Sequence, residues 1–286
     1  MNWQGDPRRH AVVIPLFGQG AISGVRAYLQ DLVDAGFWVV VVDNNPRQLA
    51  LKDQAIPGCH LVLNGNVGGI AGGLNRGVDC ALQAGAQWIT LLDQDSRIDV
   101  GQIACLREPF EGQIPPRKVI GPCIWDQQHQ RRHGRWTPSS NHLDSTRLLI
   151  TSGTTFQAAD WPELGCFHEG LFIDFVDHAW CFRAQARGFA LFQHPGVILK
   201  QTFGVAHPSP FCRFVGMRLY SPQRHFYGLR NLRWLCLRPY VPLDLKVKEV
   251  VKMCAKPYLW LAFEPQRRAN LRAICRGLTA PLPDPY

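Results

Sequence analysis

Two carboxylates stand one residue apart in the stretch LLDQDSRI, Asp93 and Asp95, directly after a run of apolar residues. Acids in this arrangement can both turn toward one cation, and hard cations such as Mg²⁺ or Mn²⁺ prefer oxygen ligands of this kind. The same residues suit a plain turn, because Asp and Ser, here Asp95 and Ser96, are favoured helix N-caps and a short D-x-D is a frequent chance match. A second pair of acids, Asp174 and Asp177, lies in LFIDFVDHAWCFR. A carboxylate at the mouth of an apolar pocket can take a proton from an alcohol, and desolvation is expected to raise its basicity. Asp177 equally suits the cap of a helix from His178 to Arg187, on which Arg183 could pair with an acid. Asp43 ends the run VVVVDNNP, where an acid can accept hydrogen bonds from a base or a ribose, or simply form a turn with the two Asn that follow.

The segment NGNVGGIAGGLNRG, residues 64–77, is dense in glycine. Gly68 and Gly69 permit close backbone approach, and helix-terminal N–H groups there could face a phosphate or a sugar. It matches neither GxGxxG nor the GxxxxGK[ST] loop, which disfavours a dinucleotide-binding dehydrogenase or a P-loop kinase. Ala71, Gly72 and Gly73 are also explained by a helix packing closely on a sheet. In SPQRHFYGLRNLRWLCLR, Arg230 and Asn231 fall near His225, Phe226 and Tyr227 on a helix. That face is either solvated over a packed stripe or a grip on a diphosphate.

These residues need a scaffold, and the chain supplies the pattern of one. AVVIPLFG and FWVVVVDNNP are short β-branched runs flanking GVRAYLQDLVDAG, whose Val25, Leu29, Leu32 and Val33 repeat at helical spacing before Gly36. Strand, helix, strand is the unit of a parallel sheet. It recurs as CHLVL, then the glycine-rich helix, then QWITLLDQDS. Ligands of open α/β sheets sit outside the carboxyl ends of the strands, where Asp43, Asp93 and Asp95 fall. Further on, a helix is expected from Ser96 to Arg107, strands in VIGPCIWD and RLLITSGTTF, a basic loop in QQHQRRHGRWTPSSNH, and a helix ending at Gly188. After ALFQHPGVIL the alternation stops, which places a catalytic α/β part at 1–205 and a helical extension at 206–286.

The 286 residues, 46% hydrophobic and 10% aromatic, can bury a large core, so extended disorder is not expected. The formal charge of +9 comes from the end of the chain: Phe211 to Tyr286 holds fourteen Lys and Arg against four acids. Such a segment favours phosphate groups of a nucleotide, a nucleic acid or an anionic membrane. No recognisable nucleic-acid module accompanies it, so nucleic acid is not expected as a partner. Nor does the amino terminus hold the Gly-rich basic signature a nucleotidyltransferase would want. Ten scattered cysteines without a CxxC read as reduced thiols in the cytoplasm. MNWQGDPRRH has no apolar h-region, so no signal peptide is expected, and the apolar runs are too short to span a bilayer.

Six stretches, in order, carry a resemblance: VVVVDNNP, NVGGIAGGLNRG, WITLLDQDS, TSGTTF, LFIDFVDHAWCFRAQARGF and SPQRHFYGLRN. Together they resemble the family 2 glycosyltransferases of GT-A fold, in the rhamnosyltransferase-like branch that builds bacterial surface polysaccharides. The resemblance spans roughly Ala11 to Leu235, and LRAICRGL near the end looks like that branch's tail. It implies a mostly parallel α/β sheet flanked by helices, with a helical basic carboxy-terminal extension. It implies an inverting transferase using a nucleotide-diphosphate sugar, dTDP-L-rhamnose above others, and Mg²⁺ or Mn²⁺. Asp43 would contact base or ribose, with Asn45 beside it; Gly69 and Asn75 would line the donor pocket; Asp93 and Asp95 would be the D-x-D equivalent, Asp95 nearest the metal. Asp177 falls at the catalytic base, with Asp174 and Arg230 as further substrate-binding residues. The chain departs from the family where Val176 replaces a common Glu and Gln201 a common His, which leaves His207 as the substitute metal contact. The acceptor would be a glycan or lipid-linked glycan. The basic extension would then either dock on the inner face of the cytoplasmic membrane, close the acceptor site or form a dimer.

Overall fold

The computed structural model describes residues 10–18, 21–46, 56–111, 117–127, 130–133, 142–202, 204–207, 209–214 and 217–285. Most of the basic loop expected over 127–142 lies outside them, as does Phe203 at the expected domain transition. The amino-terminal part is the expected alternation. β1 (His10–Leu16) is buried along its whole length and β2 (Trp38–Asp43) along all but its first residue, as strands covered on both faces require. Between them α1 (Ala21–Asp34) turns Val25, Leu29 and Leu32 inward. β3 (His60–Leu63), α2 (Gly69–Gln83) and β4 (Trp88–Leu91) follow. β1 lies between β2 and β4 and is parallel to both, while β3 is parallel to β2 on its outer side. The chain thus steps outward from β1 to β3 and returns to the other side of β1 for β4. This reversal opens a crevice at the carboxyl ends of the strands.

α2 closes on the sheet because its inner face is small. A Cβ on Gly77 would overlap Val13 Cγ1 and lie 2.9 Å from Val42 Cγ2. Gly77→Ala must displace one of these buried valines, so a stability loss of about 1–3 kcal/mol is expected. Urea unfolding measures it, and an unchanged midpoint would show that the helix has room to shift.

Beyond β4 the sheet is mixed. α3 (Val100–Cys105) starts at Asp99, whose Oδ1 accepts from the Gln102 N–H at 3.2 Å. It is shorter than the helix expected from Ser96 to Arg107, because Ser96 is held in the interior by side-chain hydrogen bonds. β5 (Lys118–Asp126), β6 (Arg131–His133), β7 (Asp144–Thr146) and β8 (Thr155–Gln157) lead to α4 (Trp161–Leu164), α5 (Val176–Ala186) and β9 (Ala190–Gln201). β9 pairs in parallel with β5, whereas β8 inserts antiparallel between β4 and β5. β6 and β7 are antiparallel on β5 and β9. The strand expected over RLLITSGTTF is realised only from Thr155. Its earlier part turns at Gly153, whose φ of +82° a side chain would strain.

The extension contains a small antiparallel pair, β10 (Val205–Ala206) with β11 (Arg218–Leu219), and α6 (Pro210–Phe214) between them. α7 (Pro222–Cys236), α8 (Leu243–Phe263) and α9 (Arg267–Thr279) then follow. Trp234 and Leu235 of α7 lie in the same core cluster as Trp180 and Phe182 of α5, so these helices share the interior of the α/β part. A second cluster joins Cys212, Met217, Leu229, Trp260 and Ile274. Beside it the buried Glu264 Oε2 lies 2.7 Å from His225 Nε2 and accepts from Asn270 Nδ2 at 3.0 Å. The His225 ring stacks on Trp260 at 3.9 Å, tying α7, α8 and α9 together. All ten cysteines are free thiols.

Candidate active site

β1 to β4 are parallel, so their carboxyl ends share one edge of the sheet, where ligands of open α/β sheets sit. At the end of β2, Asp43 is fully buried; its Oδ1 accepts from the backbone N–H of Asn45 at 3.0 Å and from Asn45 Nδ2 at 2.8 Å. Asn45 Oδ1 in turn accepts from the Gly18 N–H at 2.7 Å, beyond the end of β1. Asp43 Oδ2 is buried without a hydrogen-bond partner among the described residues. A buried carboxylate oxygen left over in such a crevice matches a hydroxyl or base N–H donor. Asn44 Nδ2 donates to the Gly69 carbonyl at 3.0 Å, and Asn44 Oδ1 accepts from Asn64 Nδ2 at 2.6 Å. Asn44, which the sequence marks only as a turn-former, thus pins the glycine run to β2 together with Asn64.

Gly69 and Asn75 meet the segment between Phe167 and Phe172. Gly69 has φ +61°, and a Cβ there would collide with the backbone and ring of Phe172. Asn75 is buried; its Nδ2 donates to the Phe167 carbonyl at 2.9 Å and to Glu169 Oε1 at 3.0 Å, while its Oδ1 accepts from the Phe167 N–H at 2.8 Å. Both therefore hold the segment that carries Asp174 and Asp177.

Asp93 and Asp95 follow β4. Ser152 Oγ donates to Asp93 Oδ2 at 2.8 Å and accepts from the Asp93 N–H at 3.0 Å. Ser152 also meets Ser96 Oγ at 2.6 Å, and Ser96 donates to Gln201 Oε1 at 3.1 Å. Gln201, which stands where the family commonly has His, thus reaches the residue next to Asp95. Burial pushes the Asp93 carboxyl up to about 6 against the Ser152 hydrogen bond, and the charges of Asp95 and Asp177 push the same way. Acids from two separate segments therefore face one region, and their repulsion is what a bound cation would relieve. Asp95 is exposed.

Among the described residues no three His, Cys, Asp or Glu side chains converge tightly enough to hold a metal ion. The protein presents the Asp93/Asp95 pair, and His207 does not join it as a third ligand. The buried His207 accepts from the Ser209 N–H through Nδ1 at 3.1 Å and meets the Phe263 ring edge-on. Its Nε2 is buried without a hydrogen-bond partner among the described residues.

The segment before α5 is the most strained part of the site. Phe172, Asp174 and Phe175 have φ of 66°, 62° and 62°, a left-handed region that side chains rarely adopt. α7 holds it in place. The fully buried Asn231 Nδ2 donates to the carbonyls of Leu171 at 2.8 Å, Ile173 at 2.7 Å and Asp174 at 2.9 Å. Arg230 Nη2 donates to the carbonyls of Gly170 and Leu171 and to Asn231 Oδ1, and its guanidinium lies 4.8 Å from the Tyr227 ring centre. Arg224 pairs with the Asp174 carboxylate through both Nε and Nη2. Arg224 carries no recognisable signal in the sequence beyond a basic, polar helix, and Asn231, read there as part of a solvated face or a diphosphate grip, instead holds backbone carbonyls.

Asp177 sits in the first turn of α5, with 27% of its side chain exposed. Its Oδ1 accepts from the His178 N–H and lies 2.8 Å from His178 Nδ1. Burial pushes its carboxyl up, but the His178 charge and hydrogen bonds outweigh burial and hold it below the usual carboxylate range. This reverses the expectation of raised basicity: Asp177 is an ionised acceptor at neutral pH. Burial pushes the His178 ring down, and the neighbouring carboxylate outweighs it and raises it. Arg183, expected to pair with an acid, donates to the Gly165 carbonyl at 3.0 Å.

No protein-family model matches the chain. A curated relative, the dTDP-rhamnosyl transferase RfbF of Shigella flexneri, is 28% identical over 247 residues, covering 80% of this chain and 81% of that one. The crystal structure of GalNAc-T7 with UDP, GalNAc and Mn²⁺ superposes with a TM-score of 0.52 at 16% identity. It covers 91% of this chain, which spans 57% of that protein. S. aureus TarS 1-349 aligns with a TM-score of 0.49 at 12% identity, covering 95% of this chain and 81% of that one. The crevice at the strand ends, the GT-A architecture and this relative agree: the chain is a glycosyltransferase of GT-A fold, similar to the rhamnosyltransferases.

Proposed function

We propose that the protein transfers L-rhamnose from dTDP-L-rhamnose to a hydroxyl of a glycan or lipid-linked glycan, with inversion at the anomeric carbon. Two observations support this reading: Asp43, with a buried Oδ2 left unpartnered among the described residues, and the Asp93/Asp95 pair both stand at the carboxyl ends of parallel strands on one edge of the sheet, and the Asp177 charge reaches Asp93. The name of the Shigella relative supports the donor. Asp43 and Asn45 bind the nucleoside end, with the unpartnered Asp43 Oδ2 accepting from the base or a ribose hydroxyl. Asp177 takes the proton of the acceptor hydroxyl, whose oxygen forms the new bond to the anomeric carbon from the face opposite the diphosphate. The bond to the diphosphate breaks in the same displacement, and the nucleoside diphosphate leaves with the electron pair. No covalent enzyme intermediate is required, unlike a retaining glycosidase.

The donor set fits a hard divalent cation, Mg²⁺ or Mn²⁺, because two carboxylates meet where negative charge accumulates. Asp95, with Asp93 behind it, would hold it; His207 Nδ1 accepts from the Ser209 N–H, which leaves the ring proton on Nε2. When bound, the cation would neutralise charge developing on the departing diphosphate. Asp174 and Arg230 act through the segment that shapes the acceptor side, and Gly69 and Asn75 support its other flank.

Calorimetry of dTDP binding with and without Mn²⁺ tests the cation. Wild type is expected to bind at least about tenfold tighter with the metal, and Asp95→Ala to lose that gain. Full metal-dependent affinity in Asp95→Ala removes the assignment. A thermal-shift panel of nucleotide sugars tests the donor: the largest stabilisation by dTDP-L-rhamnose is expected, and a larger one by a UDP-hexose would replace it.

A further inference from the structure

α8 is built inside out. Its Glu249 and Trp260 are buried against the body of the protein. The opposite side carries Leu243, Val247, Val250, Val251, Cys254 and Tyr258, which recur every three or four residues and so form one stripe along the helix. These side chains face outward: Val250 is 42% exposed, Val251 63%, Leu243 74% and Tyr258 77%. A surface helix ordinarily turns such a stripe to the core, and a continuous exposed one marks a docking surface.

The charges around the stripe select its occupant. Lys248 flanks it as an exposed cation, and the neighbouring α9 exposes Arg267, Arg268, Arg272 and Arg276. The acids of these helices are already engaged. Asp244 pairs with Arg147, Glu249 with Lys252, and Glu264 is buried against His225. A second copy of this chain pairing through the same face would set its lysines against their equivalents, a like-charge contact that disfavours association. An anionic bilayer supplies what the face lacks, apolar depth beneath negative headgroups. None of the described helices is long and apolar enough to cross a membrane, so α8 would lie in the plane of the surface.

We propose that the outward stripe of α8 with its basic flank docks the protein on an anionic phospholipid surface. The inner side of the same helix adjoins the active site. Glu249 and Lys252 lie close enough to His178, and Lys256 to Asp174, for their charges to act on one another. Docking through α8 therefore brings the acceptor side of the crevice to the membrane, where a lipid-linked acceptor would be presented. The docking itself goes beyond the donor assignment and does not depend on it.

Flotation of the full chain with vesicles tests the proposal without any nucleotide sugar. The protein is expected to float with phosphatidylcholine vesicles that contain phosphatidylglycerol, not with phosphatidylcholine alone, and less as salt rises. The double variant Val251→Asp/Tyr258→Asp places charge on the stripe at exposed positions, so an unchanged melting curve is expected with about tenfold less bound protein. Lys248→Glu keeps the stripe and is also expected to lower binding about tenfold. Transfer to a soluble acceptor is expected to survive in all of these variants. Absence of wild-type flotation, or undiminished flotation of the double variant, overturns the proposal. So does a wild-type dimer that the double variant converts to monomer without any vesicle binding, which would make the face a contact between copies.

Discussion

Asp177→Asn is expected to lower sugar transfer about 10²–10⁴-fold, the range carried by a positioned general base, while leaving nucleotide affinity near the wild-type value. The two carboxylate oxygens differ in what they do. Oδ1 is held by the His178 backbone N–H and ring, so the other oxygen is the one positioned to take a proton. Asn keeps the size and loses the charge. The variant also has an internal check on its fold. His178 owes its raised pKa to the Asp177 carboxylate, so an NMR titration of the ring should move downward in Asp177→Asn. A folded variant with a shifted His178 and wild-type turnover would remove Asp177 as the base. Loss of nucleotide binding together with turnover would instead place it on the donor side.

Much of this site can be read in one dimension, because strand ends are marked twice. VVVVDNNP and ITLLDQD are continuous apolar runs stopped by acids, and buried parallel strands end in this way. Order along the chain then brings Asp43 and Asp93 to the same edge of the sheet, on either side of β1. The partners that tune these acids follow no such rule. Ser152 is 59 residues from Asp93, and Gln201 is 105 from Ser96. Both meet their partners only because β8 inserts antiparallel beside β4 and β9 joins β5, an order that periodicity does not encode. The sign of the Asp177 shift was hidden for a different reason. Burial is legible in the apolar residues around it, but the winning effect is an orientation of the His178 ring, which composition does not determine. The basic face of α7 hides more still: it reads as a solvated face or a grip on a diphosphate, yet Arg224, Arg230 and Asn231 are turned onto the Asp174 segment.

Asn231 carries the second large effect. The strained stretch from Phe172 to Phe175 has no regular secondary structure to hold it, and three of its four residues are in the left-handed region. One buried amide donates to two carbonyls along it and to that of Leu171 just before it, all 57 to 60 residues away. Asn231→Ala leaves these carbonyls without that donor and opens a cavity beside them, so a stability loss of about 2–4 kcal/mol is expected. The chemical consequence follows from position: the stretch ends one residue before the turn that presents Asp177. A misplacement of about 1 Å there is expected to lower kcat about 10²-fold. The KM for the donor should change little, because Asp43, Asn45 and Asp95 are anchored to other strands. Asn231→Asp separates hydrogen bonding from volume. It fills the same space but sets a carboxylate without donors against three carbonyl oxygens, so it should be at least as damaging as Ala in both unfolding and kcat. If Asn231→Asp keeps wild-type kcat, or if both variants lose stability with kcat intact, Asn231 merely packs α7 against the segment and does not position the base.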